Sequence, residues 1–431
     1  MALTRTTRIV RRAASGRTEI GADVCVLGAG IAGVSAALEA ADLGRRVALI
    51  DAAPALGGQA VGAEIGTFCG LYSNGPEPYR VTHGIADGIL HDLGRVGALR
   101  YMKGRRNTVI VQYRVVELGR WIEDRVAAAG VVVLLGAVLR GVRRDGGRIA
   151  ALELANRYGD LVVTASGFVD ASGDAALAWR AGLACRESET PLFGTCLFVV
   201  EGVDEEAART LAPSEMQARL ADKADDYGLV RRDGFAFLFP GDATALVNMT
   251  HIATPLDPVG ASAMVAEGRA QADRVFAFLR QEFPAAFGRA RVRSYGLPGV
   301  RQTRSIVGAH HLTVDEVRAG AHHADAVARC SWPIELHDRP EGVHWEEFGD
   351  DHMHFVPLGS LAPAGVDNLV AAGRCLDADP AALSSVRVMG PCIATGAAAV
   401  HALDLAGAGS VHQIDVAELQ ARLADNLDRR D

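Results

Sequence analysis

Three glycines spaced for phosphate binding stand near the start of the sequence, in the segment GAGIAG at 28–33. An apolar segment, DVCVL, comes directly before them, and an alanine-rich segment with the pattern of a helix follows. In such a strand–turn–helix unit, Gly28 permits the tight turn, Gly30 lets the backbone approach a pyrophosphate, and Gly33 lets helix and strand pack closely. The pattern therefore predicts a dinucleotide site.

The residues around this turn supply the other groups that a dinucleotide needs. The predicted helix begins at Ile31 and Ala32, where free N–H groups and the helix dipole favour phosphates. The next strand, VALI, is followed by Asp51 and Ala52. A carboxylate at the end of this strand can accept hydrogen bonds from both hydroxyls of a ribose. We therefore expect all four residues to contact the cofactor. The alternative is a glycine-rich turn in an unrelated α/β protein.

A second glycine pair distinguishes FAD from NAD as the cofactor. The segment AAPALGGQA, at 52–60, places Gly57 and Gly58 shortly after Asp51. Here the sequence resembles the FAD-binding oxidoreductases of the glutathione reductase-like superfamily, in which a GG pair follows the acid. The other candidate glycine motif, AGAGS at 406–410, follows a helix pattern and is expected to end that helix. A separate NAD(P) domain is therefore not predicted.

Later segments extend the resemblance to about residues 20–405. An apolar strand ends at Asp170, and the ASGD that follows is similar to the ATG-like motif that returns the chain to the cofactor in this superfamily. Residues 301–405 resemble a narrower FAD-dependent oxidoreductase family in the segments RQTRSIVG, WPIELH, VPLGSLAP and VDNLVAAGRC. The resemblance implies cofactor contacts from Gly57, Gly58, Gln59, Val138, Ala171, Ser172, Gly173, Asp174, Arg304, Gly373, Arg374, Arg387, Cys392, Ile393 and Ala394.

The sequence departs from the family patterns at two places. Arg374 stands where a Gly-Asp pair often binds the ribityl chain, and the segment GTFCGLYSNG, at 66–75, lies outside the narrower pattern and leaves the substrate open. The last long helix fits better, because Pro391 suits its first turn. In this superfamily such a helix points at the pyrimidine side of the flavin, where its dipole stabilises negative charge. The alternative is an ordinary packing helix.

The order of predicted elements indicates an α/β protein. We expect a Rossmann-like, doubly wound FAD-binding domain with a β-meander, and an inserted α+β substrate domain with a mainly antiparallel sheet. The turn signals RDGG and NRYGD predict the hairpins of the meander. The predicted parts are an N-terminal arm at 1–20, an FAD-binding domain at 20–70, 111–190 and 362–410, a substrate domain at 71–110 and 191–361, and a helical tail at 411–431. The arginine-rich arm also has features of a transit peptide.

Histidines are candidates for the base that flavin oxidation of a C–H bond usually requires. His354 and His352, in DHMHF, alternate along a predicted strand and so share one face. We expect His354 to act directly, with His337 and His83 as alternatives; a structural or surface role is the competing interpretation. Histidines are frequent between 310 and 354, but HH and HxH pairs without a nearby ordered acid form a weak ligand set, so no metal site is expected.

Arginines, a cysteine and a tyrosine complete the candidate active site. Four arginines fall in the segments that the family uses around the cofactor, namely Arg301, Arg304, Arg374 and Arg387. Such arginines can hold a substrate carboxylate, contact the flavin, or form structural ion pairs, and we expect Arg301 to be catalytic. Cys69 can attach the flavin covalently, lie near its reactive atoms, or fill an apolar space. Tyr72 is expected beside it in the wall of the site.

Composition limits the partners of the chain. Its 431 residues, 49% hydrophobic and 22% charged, suit a globular protein of two connected domains. A net charge of −8 without basic tracts argues against nucleic acid, and the longest apolar run, 127–139, is too short to span a bilayer. The seven cysteines are scattered and form no CxxC pair, which favours a reduced, cytoplasmic setting. We expect a small-molecule substrate and no nucleic-acid or membrane partner; a homodimer is compatible with the sequence.

These features together predict an FAD-dependent oxidoreductase. It would remove hydride from a carbon bearing an amine or hydroxyl on a small, carboxylated molecule and pass the electrons to O2 or an external acceptor. One alternative is flavin-dependent reduction or desaturation at an activated C=C bond, since arginines also suit an enolate intermediate. The other alternative, of a different class, is a non-catalytic flavin-binding subunit or sensor.

Overall fold

A parallel five-stranded sheet forms the centre of the protein, in a computed structural model that describes residues 17–104 and 107–430. Its strands are β2 (Val24–Leu27), β3 (Val47–Asp51), β7 (Val132–Leu135), β11 (Gly167–Asp170) and β24 (Leu369–Ala371). They are hydrogen-bonded in the order β24, β11, β2, β3, β7, and all neighbours are parallel. β2 and β11 are buried along their whole length, as continuous apolar segments require. The expected α/β class is confirmed.

Helices pack on one face of this sheet. Helix α1 (Ile31–Asp42) connects β2 to β3 and lies against α12 (Met389–Ala406). A side chain on Gly396 would lie 2.2 Å from Ala32 O, so the absence of one lets the two helices touch. The 18 residues of α12 are long and apolar enough to cross a membrane, but 78% of them are buried within the protein, as in a core helix.

An antiparallel meander packs on the other face of the parallel sheet. It consists of β8 (Val138–Asp145), β9 (Arg148–Asn156) and β10 (Gly159–Thr164), and β1 (Arg17–Gly21) joins β10 in parallel. Both hairpins fall where RDGG and NRYGD predict them, because these turns need residues that tolerate unusual backbone angles. The rest of the predicted arm, 1–16, lies outside the described residues.

A second antiparallel sheet has a core of its own. Its strands are β14 (Phe198–Glu201), β15 (Phe235–Phe239), β16 (Thr244–Asn248) and β18 (Arg291–Tyr295), in the order β15, β16, β14, β18. The helices of this region are α6 (Glu205–Thr210), α7 (Pro213–Lys223), α8 (Pro258–Glu282) and α9 (Pro284–Phe287). Phe278 and Leu279 of α8 are fully buried against this sheet. The region lies within 191–361, where an antiparallel sheet is predicted.

Shorter elements join these layers. Helix α3 (Ile85–Arg95) lies in the predicted substrate segment 71–110, but it packs on α4 (Val115–Ala128) in the core of the parallel sheet. The paired strands are β4 (Thr67–Phe68) and β5 (Leu99–Lys103) with β6 (Val109–Tyr113), β12 (Cys185–Glu187) with β19 (Arg304–Ile306), β13 (Phe193–Gly194) with β17 (Ile252–Ala253), β20 (Ala326–Cys330) with β23 (His354–Pro357), and β21 (Ile334–Arg339) with β22 (Gly342–Glu346). The remaining helices are α2 (Gly58–Gly62), α5 (Ala176–Arg180), α10 (Val314–Ala319), α11 (Pro380–Val386), α13 (Val416–Arg422) and α14 (Ala424–Leu427).

A directed chain of hydrogen bonds ties β23 to α11. The hydroxyl of Ser385 donates to Trp332 O at 2.6 Å, so it accepts from His354 Nε2, 2.9 Å away. His354 Nδ1 is then the acceptor for His352 Nε2 at 3.2 Å. Both ring nitrogens of His354 are occupied while its ring is neutral, and burial lowers the pKa of His354 to about 3. His354 therefore supports the fold in this uncharged form.

This histidine should make folding stability depend on pH. The folded-state pKa of His354 lies below its unfolded value, so the unfolded chain binds more protons between about pH 3 and 6.5. The contribution is complete above about pH 6.5 and is lost as pH falls, by about 2 kcal/mol at pH 5. We expect His354→Gln, whose amide can make both hydrogen bonds, to show a correspondingly smaller loss in urea unfolding between pH 7.5 and 5.

The matched control is His91→Gln, because the His91 side chain is 68% exposed. It should lose as much stability between these pH values as the wild-type protein does. An equal loss in the wild-type protein and His354→Gln would contradict the assignment.

Candidate functional site

Two glycine turns meet at the carboxyl ends of β2 and β3. The first lies at 28–33, between β2 and α1, and the second leads into α2 at Gly58. A Cβ atom on Gly58 would lie 2.6 Å from Gly30 Cα, and one on Gly28, whose φ is +106°, would lie 2.2 Å from Ala171 O. Side chains are therefore excluded, and backbone N–H groups border the space between the turns. Nucleotides bind at this end of parallel sheets.

Asp51 stands beside these turns at the end of β3. Its Oδ2 accepts the N–H of Ala29 at 2.6 Å, and its Oδ1 accepts the N–H of Ala53 at 2.7 Å. A carboxylate has about four lone-pair positions, so each oxygen can accept one further hydrogen bond. Asp51 therefore fits the hydroxyls of a ribose while it holds the first glycine turn in place. Ala52, next to it, is exposed.

The segment after β11 is held by the buried carboxylate of Asp170. This carboxylate accepts hydrogen bonds from Ser172 Oγ at 2.6 Å and from Leu177 N at 2.9 Å. Burial raises the pKa of Asp170, although these hydrogen bonds oppose the change. Gly173 N donates to Cys375 Sγ at 3.0 Å. The hydroxyl of Ser172 thus shapes the turn, and the neighbouring backbone remains as the means of contacting a cofactor.

Arg374 brings an unpaired cationic nitrogen to this turn. A Cβ atom on Gly173 would lie 2.1 Å from Arg374 Nη2, so the guanidinium lies directly over this glycine. Arg374 Nη1 is buried and has no hydrogen-bond partner among the described residues. Leaving such a group unsatisfied costs about 1–3 kcal/mol or more. An oxygen atom of a bound cofactor would satisfy it, so the residues present fit a dinucleotide.

The GTFCGLYSNG segment is seated on the start of α12. Gly390 N donates to Cys69 O at 3.0 Å, and a Cβ atom on Gly390 would lie 2.0 Å from Gly70 O. Burial raises the pKa of the Cys69 thiol, and the charge of Glu335 raises it further. Cys69 is therefore an uncharged thiol beside the positive end of a helix dipole.

Other cofactor candidates lie on the inner side of these helices. Ile31 and Ala32 are buried in the first turn of α1, and Ile393 and Ala394 are buried in α12. The hydroxyl of Ser35 donates to Ile393 O at 2.8 Å, which links the two helices. These residues place the helix ends by packing. Among the remaining candidates, Gly57 donates its N–H to Ala29 O, and Gln59 is half-buried in α2. Asp174 accepts a hydrogen bond from Thr303. A side chain on Gly373 would lie close to Cys392, whose Sγ donates to Arg387 O.

Two of the predicted site residues make other contacts, and a third is exposed. Arg304 pairs with Glu187 at 2.9 Å, so its charge is already balanced. Val138 is 52% exposed at the start of β8. Tyr72 packs edge-on against Tyr101, with 6.1 Å between ring centroids. The side chains of Arg304 and Tyr72 are thus held by local partners, and that of Val138 is exposed.

The histidines expected as bases are also held by local partners. His354 is buried with both ring nitrogens hydrogen-bonded, so it has no free lone pair for a substrate proton. His352 lies before β23 and is half-buried, so it does not share a strand face with His354, although its Nε2 contacts His354 Nδ1. His83 is fully buried, and its Nδ1 lies 3.3 Å from Asp87 Oδ1. The rings of His354 and His83 are therefore both enclosed by the protein.

Arg301 and Arg387 are neighbouring cations, and Arg387 also lies close to Cys69. Burial lowers the pKa of both arginines, and the charges of Arg231 and Arg387 lower the pKa of Arg301 further. Each nevertheless keeps accessible surface, so both border space that a water-sized molecule can enter, which we call the cationic cavity. Glu335 is the acid that opposes these effects at both arginines. The cavity therefore favours a negatively charged ligand.

The hydrogen bonds of these arginines leave donors free. Arg301 Nη1 donates to Phe193 O at 2.8 Å, and Arg387 Nη2 donates to Glu335 O at 3.2 Å. Arg387 Nε is buried and finds no acceptor in the part of the chain that is described. Arg231 is more fully balanced, because it pairs with Asp233 and donates to Asn248 Oδ1 at 3.0 Å. Arg301 and Arg387 are thus the arginines available to a ligand.

A chain of two histidines leads to the carboxylate of Glu335. His251 Nδ1 lies 2.9 Å from Pro340 O, which only accepts hydrogen bonds, so this nitrogen carries the proton. Burial lowers the pKa of His251 far below its usual range, and its uncharged ring therefore accepts through Nε2 from His337 Nδ1 at 2.8 Å. His337 Nε2 is left as an acceptor, 3.2 Å from Glu335 Oε1. The pair Glu335–His337 consequently has room for one proton between these atoms.

Sequence reasoning named Arg301, Arg387 and Cys69, and the structure brings these three together. It missed Glu335 and Arg231, and it ranked His337 below His354. Glu335 and His337 alternate in WPIELH, a strand pattern that places both side chains on one face. This alternation can be seen in the sequence. The contact between His251 and His337 cannot, because it joins segments 86 residues apart.

Comparison with known proteins identifies the family of the chain. The model of the family described as FAD dependent oxidoreductase matches residues 23–423. No curated protein matches the chain. Among solved structures, a geranylgeranyl bacteriochlorophyll reductase-like protein from Thermoplasma acidophilum is 14% identical, with 95% of this chain and 80% of that chain covered and a TM-score of 0.48. The p-nitrophenol 4-monooxygenase PnpA from Pseudomonas putida DLL-E4 is 11% identical, with 96% and 85% covered and a TM-score of 0.46.

The family match spans nearly the whole chain, and the glycine turns, Asp51 and Arg374 fit the FAD that it implies. This chain belongs to the FAD dependent oxidoreductase family.

Proposed function

We propose that this FAD-dependent oxidoreductase removes hydride from a carbon that bears an amine or hydroxyl group on a small carboxylated substrate. The observation that carries the proposal is the cavity wall formed by Arg301, Arg387 and the Glu335–His337 pair. It combines cations that suit a carboxylate with a place for the proton that the substrate must lose. FAD, when bound, supplies the two-electron acceptor.

The parallel sheet would serve as the FAD-binding domain. Asp51 would bind the ribose of the cofactor, and the N–H groups at the start of α1 would bind its pyrophosphate. Arg374 would donate to a cofactor oxygen through its unpaired Nη1. The positive end of α12, next to Cys69, would favour negative charge on the flavin. In this arrangement the antiparallel sheet of β14, β15, β16 and β18 belongs to the substrate domain.

The charge of the cavity supports an anionic substrate. The charge of Arg387 lowers the pKa of Arg301, and a ligand carboxylate between the two would offset this repulsion. It would also accept a hydrogen bond from Arg387 Nε. A neutral ligand would leave these donors without water and without a partner, which costs free energy. The cavity should therefore discriminate between a carboxylate and its ester.

The Glu335–His337 pair is placed to take up the substrate proton. Without that proton, lone pairs of Glu335 Oε1 and His337 Nε2 face each other at 3.2 Å. Adding one proton converts this repulsion into a hydrogen bond. The bond from His337 Nδ1 to His251 holds the ring in the tautomer that leaves Nε2 as acceptor. Trp332 Nε1 donates to Glu335 Oε2 at 3.2 Å and orients the carboxylate.

Cys69 has a simpler role in this proposal. Its raised pKa keeps the thiol protonated, whereas nucleophilic cysteines are thiolates. Covalent attachment of the flavin through Cys69 is therefore disfavoured. We assign Cys69 to the cavity wall, where a small side chain lets the backbone of the GTFCGLYSNG segment approach α12.

A screen of substrates tests the proposed reaction. Purified flavoprotein is mixed without oxygen with amino acids, 2-hydroxy acids and their methyl esters, and the visible absorbance of oxidised flavin is followed. We expect a carboxylated compound to bleach the flavin, its ester to do so far more weakly, and oxygen or an artificial acceptor to restore the colour. If saturated compounds leave the flavin oxidised and unsaturated acids reoxidise reduced enzyme, C=C reduction replaces our proposal. A colourless protein that takes up no added FAD would contradict both.

Arg301→Met should weaken substrate binding selectively. A hydrogen-bonded charge contact contributes roughly 1.5–3 kcal/mol, which corresponds to a rise in KM of about 10- to 100-fold for the carboxylate. KM for the ester should change little, because that compound lacks the charge. Arg291→Met is the control, since Arg291 is exposed and pairs with Glu201. A KM that stays the same, with normal flavin content, counts against Arg301 as the carboxylate ligand.

Glu335→Gln should reduce the rate of flavin reduction about 10²- to 10⁴-fold, because it removes the proton acceptor. Burial and the charge of Arg301 lower the pKa of His337, so this ring stays neutral at neutral pH and its Nε2 remains an acceptor. The wild-type rate should therefore be constant above about pH 6.5 and fall only at lower pH. Stopped-flow reduction at pH 5 to 9 measures both effects.

The control for this variant is Glu341→Gln, on the exposed turn of the same hairpin. It should keep the wild-type rate and pH profile. If Glu335→Gln does the same, the proton leaves by another route.

A further inference from the structure

A second cluster of ionisable side chains shares no residue with the cationic cavity. His310 follows β19, Glu316 lies in α10, and His323 lies between α10 and β20. Their nearest ligand atoms all lie within 4.8 Å of one another, and among residues 17–104 and 107–430 no other group of His, Cys, Asp or Glu side chains is assembled in this way. We propose that His310, Glu316 and His323 bind a divalent metal ion of the Zn²⁺ class, with water completing its coordination.

The carboxylate of Glu316 is already positioned by the chain. Its Oε2 accepts hydrogen bonds from Thr313 N at 2.8 Å and Thr313 Oγ1 at 2.9 Å, in the capping box that begins α10. Its Oε1 is directed to the other side and lies 3.0 Å from His310 Nε2. One oxygen thus holds the helix cap while the other is presented to the cluster.

His323 distinguishes this cluster from a simple ion pair. Its Nε2 is buried and has no hydrogen-bond partner within the described parts of the chain. An ion pair between His310 and Glu316 would leave this nitrogen unsatisfied, which is costly. A shared metal ion satisfies it, because neutral imidazole nitrogens and carboxylate oxygens are the usual ligands of Zn²⁺.

The spacing of the three groups is close to that of a bound ion. Zinc lies about 2.0–2.2 Å from nitrogen and oxygen ligands, so tetrahedral ligand atoms are roughly 3.4 Å apart. The rings of His310 and His323 already meet edge-to-face, with 4.9 Å between their centroids. Rotation of these two rings about their side-chain bonds brings the nitrogens to a common ion. Such an ion would join the segment before α10 to the segment after it.

The sequence did not predict this site because its acid is not adjacent to either histidine. Glu316 follows His310 by six positions and precedes His323 by seven. Helix α10 and its capping box bring the carboxylate back between the two rings. The ligand set therefore exists only in the folded chain.

The test is a titration of the chelator-treated, flavin-loaded protein with ZnCl2 by isothermal calorimetry, together with its melting temperature. We expect one Zn²⁺ per chain and a melting temperature that rises with zinc concentration. His323→Gln and Glu316→Gln should each weaken zinc binding at least 10-fold. Glu316→Gln is informative because glutamine also serves at this position of a capping box, so the helix cap is kept while the charged ligand is lost.

His322→Gln is the matched control. His322 is the next residue in the chain, but its exposed ring packs on Phe355, with 4.3 Å between centroids. It should bind zinc as the wild-type protein does. The proposal is overturned if wild-type protein binds zinc no more tightly than His323→Gln, or if His322→Gln weakens binding as much as His323→Gln.

Discussion

Close approach of backbone to backbone is the constraint on which the site depends. At Gly390 against Gly70, and at Gly58 against Gly30, an added methyl carbon would lie 2.0 Å and 2.6 Å from main-chain atoms. No real carbon tolerates such distances, and neither side of the contact is a flexible side chain that could move away. A substitution would have to displace a helix end or a glycine turn. These contacts determine the positions of Cys69, of the start of α12 and of the space between the two glycine turns.

On this rigid framework the protein holds buried positive charge that is incompletely balanced. Arg301 and Arg387 keep their positions through bonds to main-chain carbonyls, which orient the guanidinium groups without neutralising them. Such an arrangement lowers the stability of the fold, because buried charges lacking a full partner are costly. It also means that the site needs little rearrangement when a negative group arrives. Local departures from the rules of stability are expected where function is located.

The sequence was most informative where the interaction is local in the chain. The glycine fingerprint and the two hairpin turns depend on a few consecutive residues, and each was found where it was predicted. Periodicity indicated that His352 and His354 lie close together but not that the ring of His354 is buried, so the base that we propose differs from the expected one. The links of His251 to His337, and of Glu316 to two histidines, depend on tertiary folding, and single-sequence patterns do not encode them.

The carbonyl of Pro340 has a consequence that extends beyond His251. It lies in the turn between β21 and β22, and Arg232 N donates to the neighbouring Glu341 O at 2.7 Å. If this turn moved away, His251 would be free to carry its proton on Nε2, and His337 would then present an N–H to Glu335. The same pair would change from proton acceptor to proton donor. The carbonyl of Pro340 thus determines which ring nitrogen of His251 carries the proton, and through it the tautomer of His337.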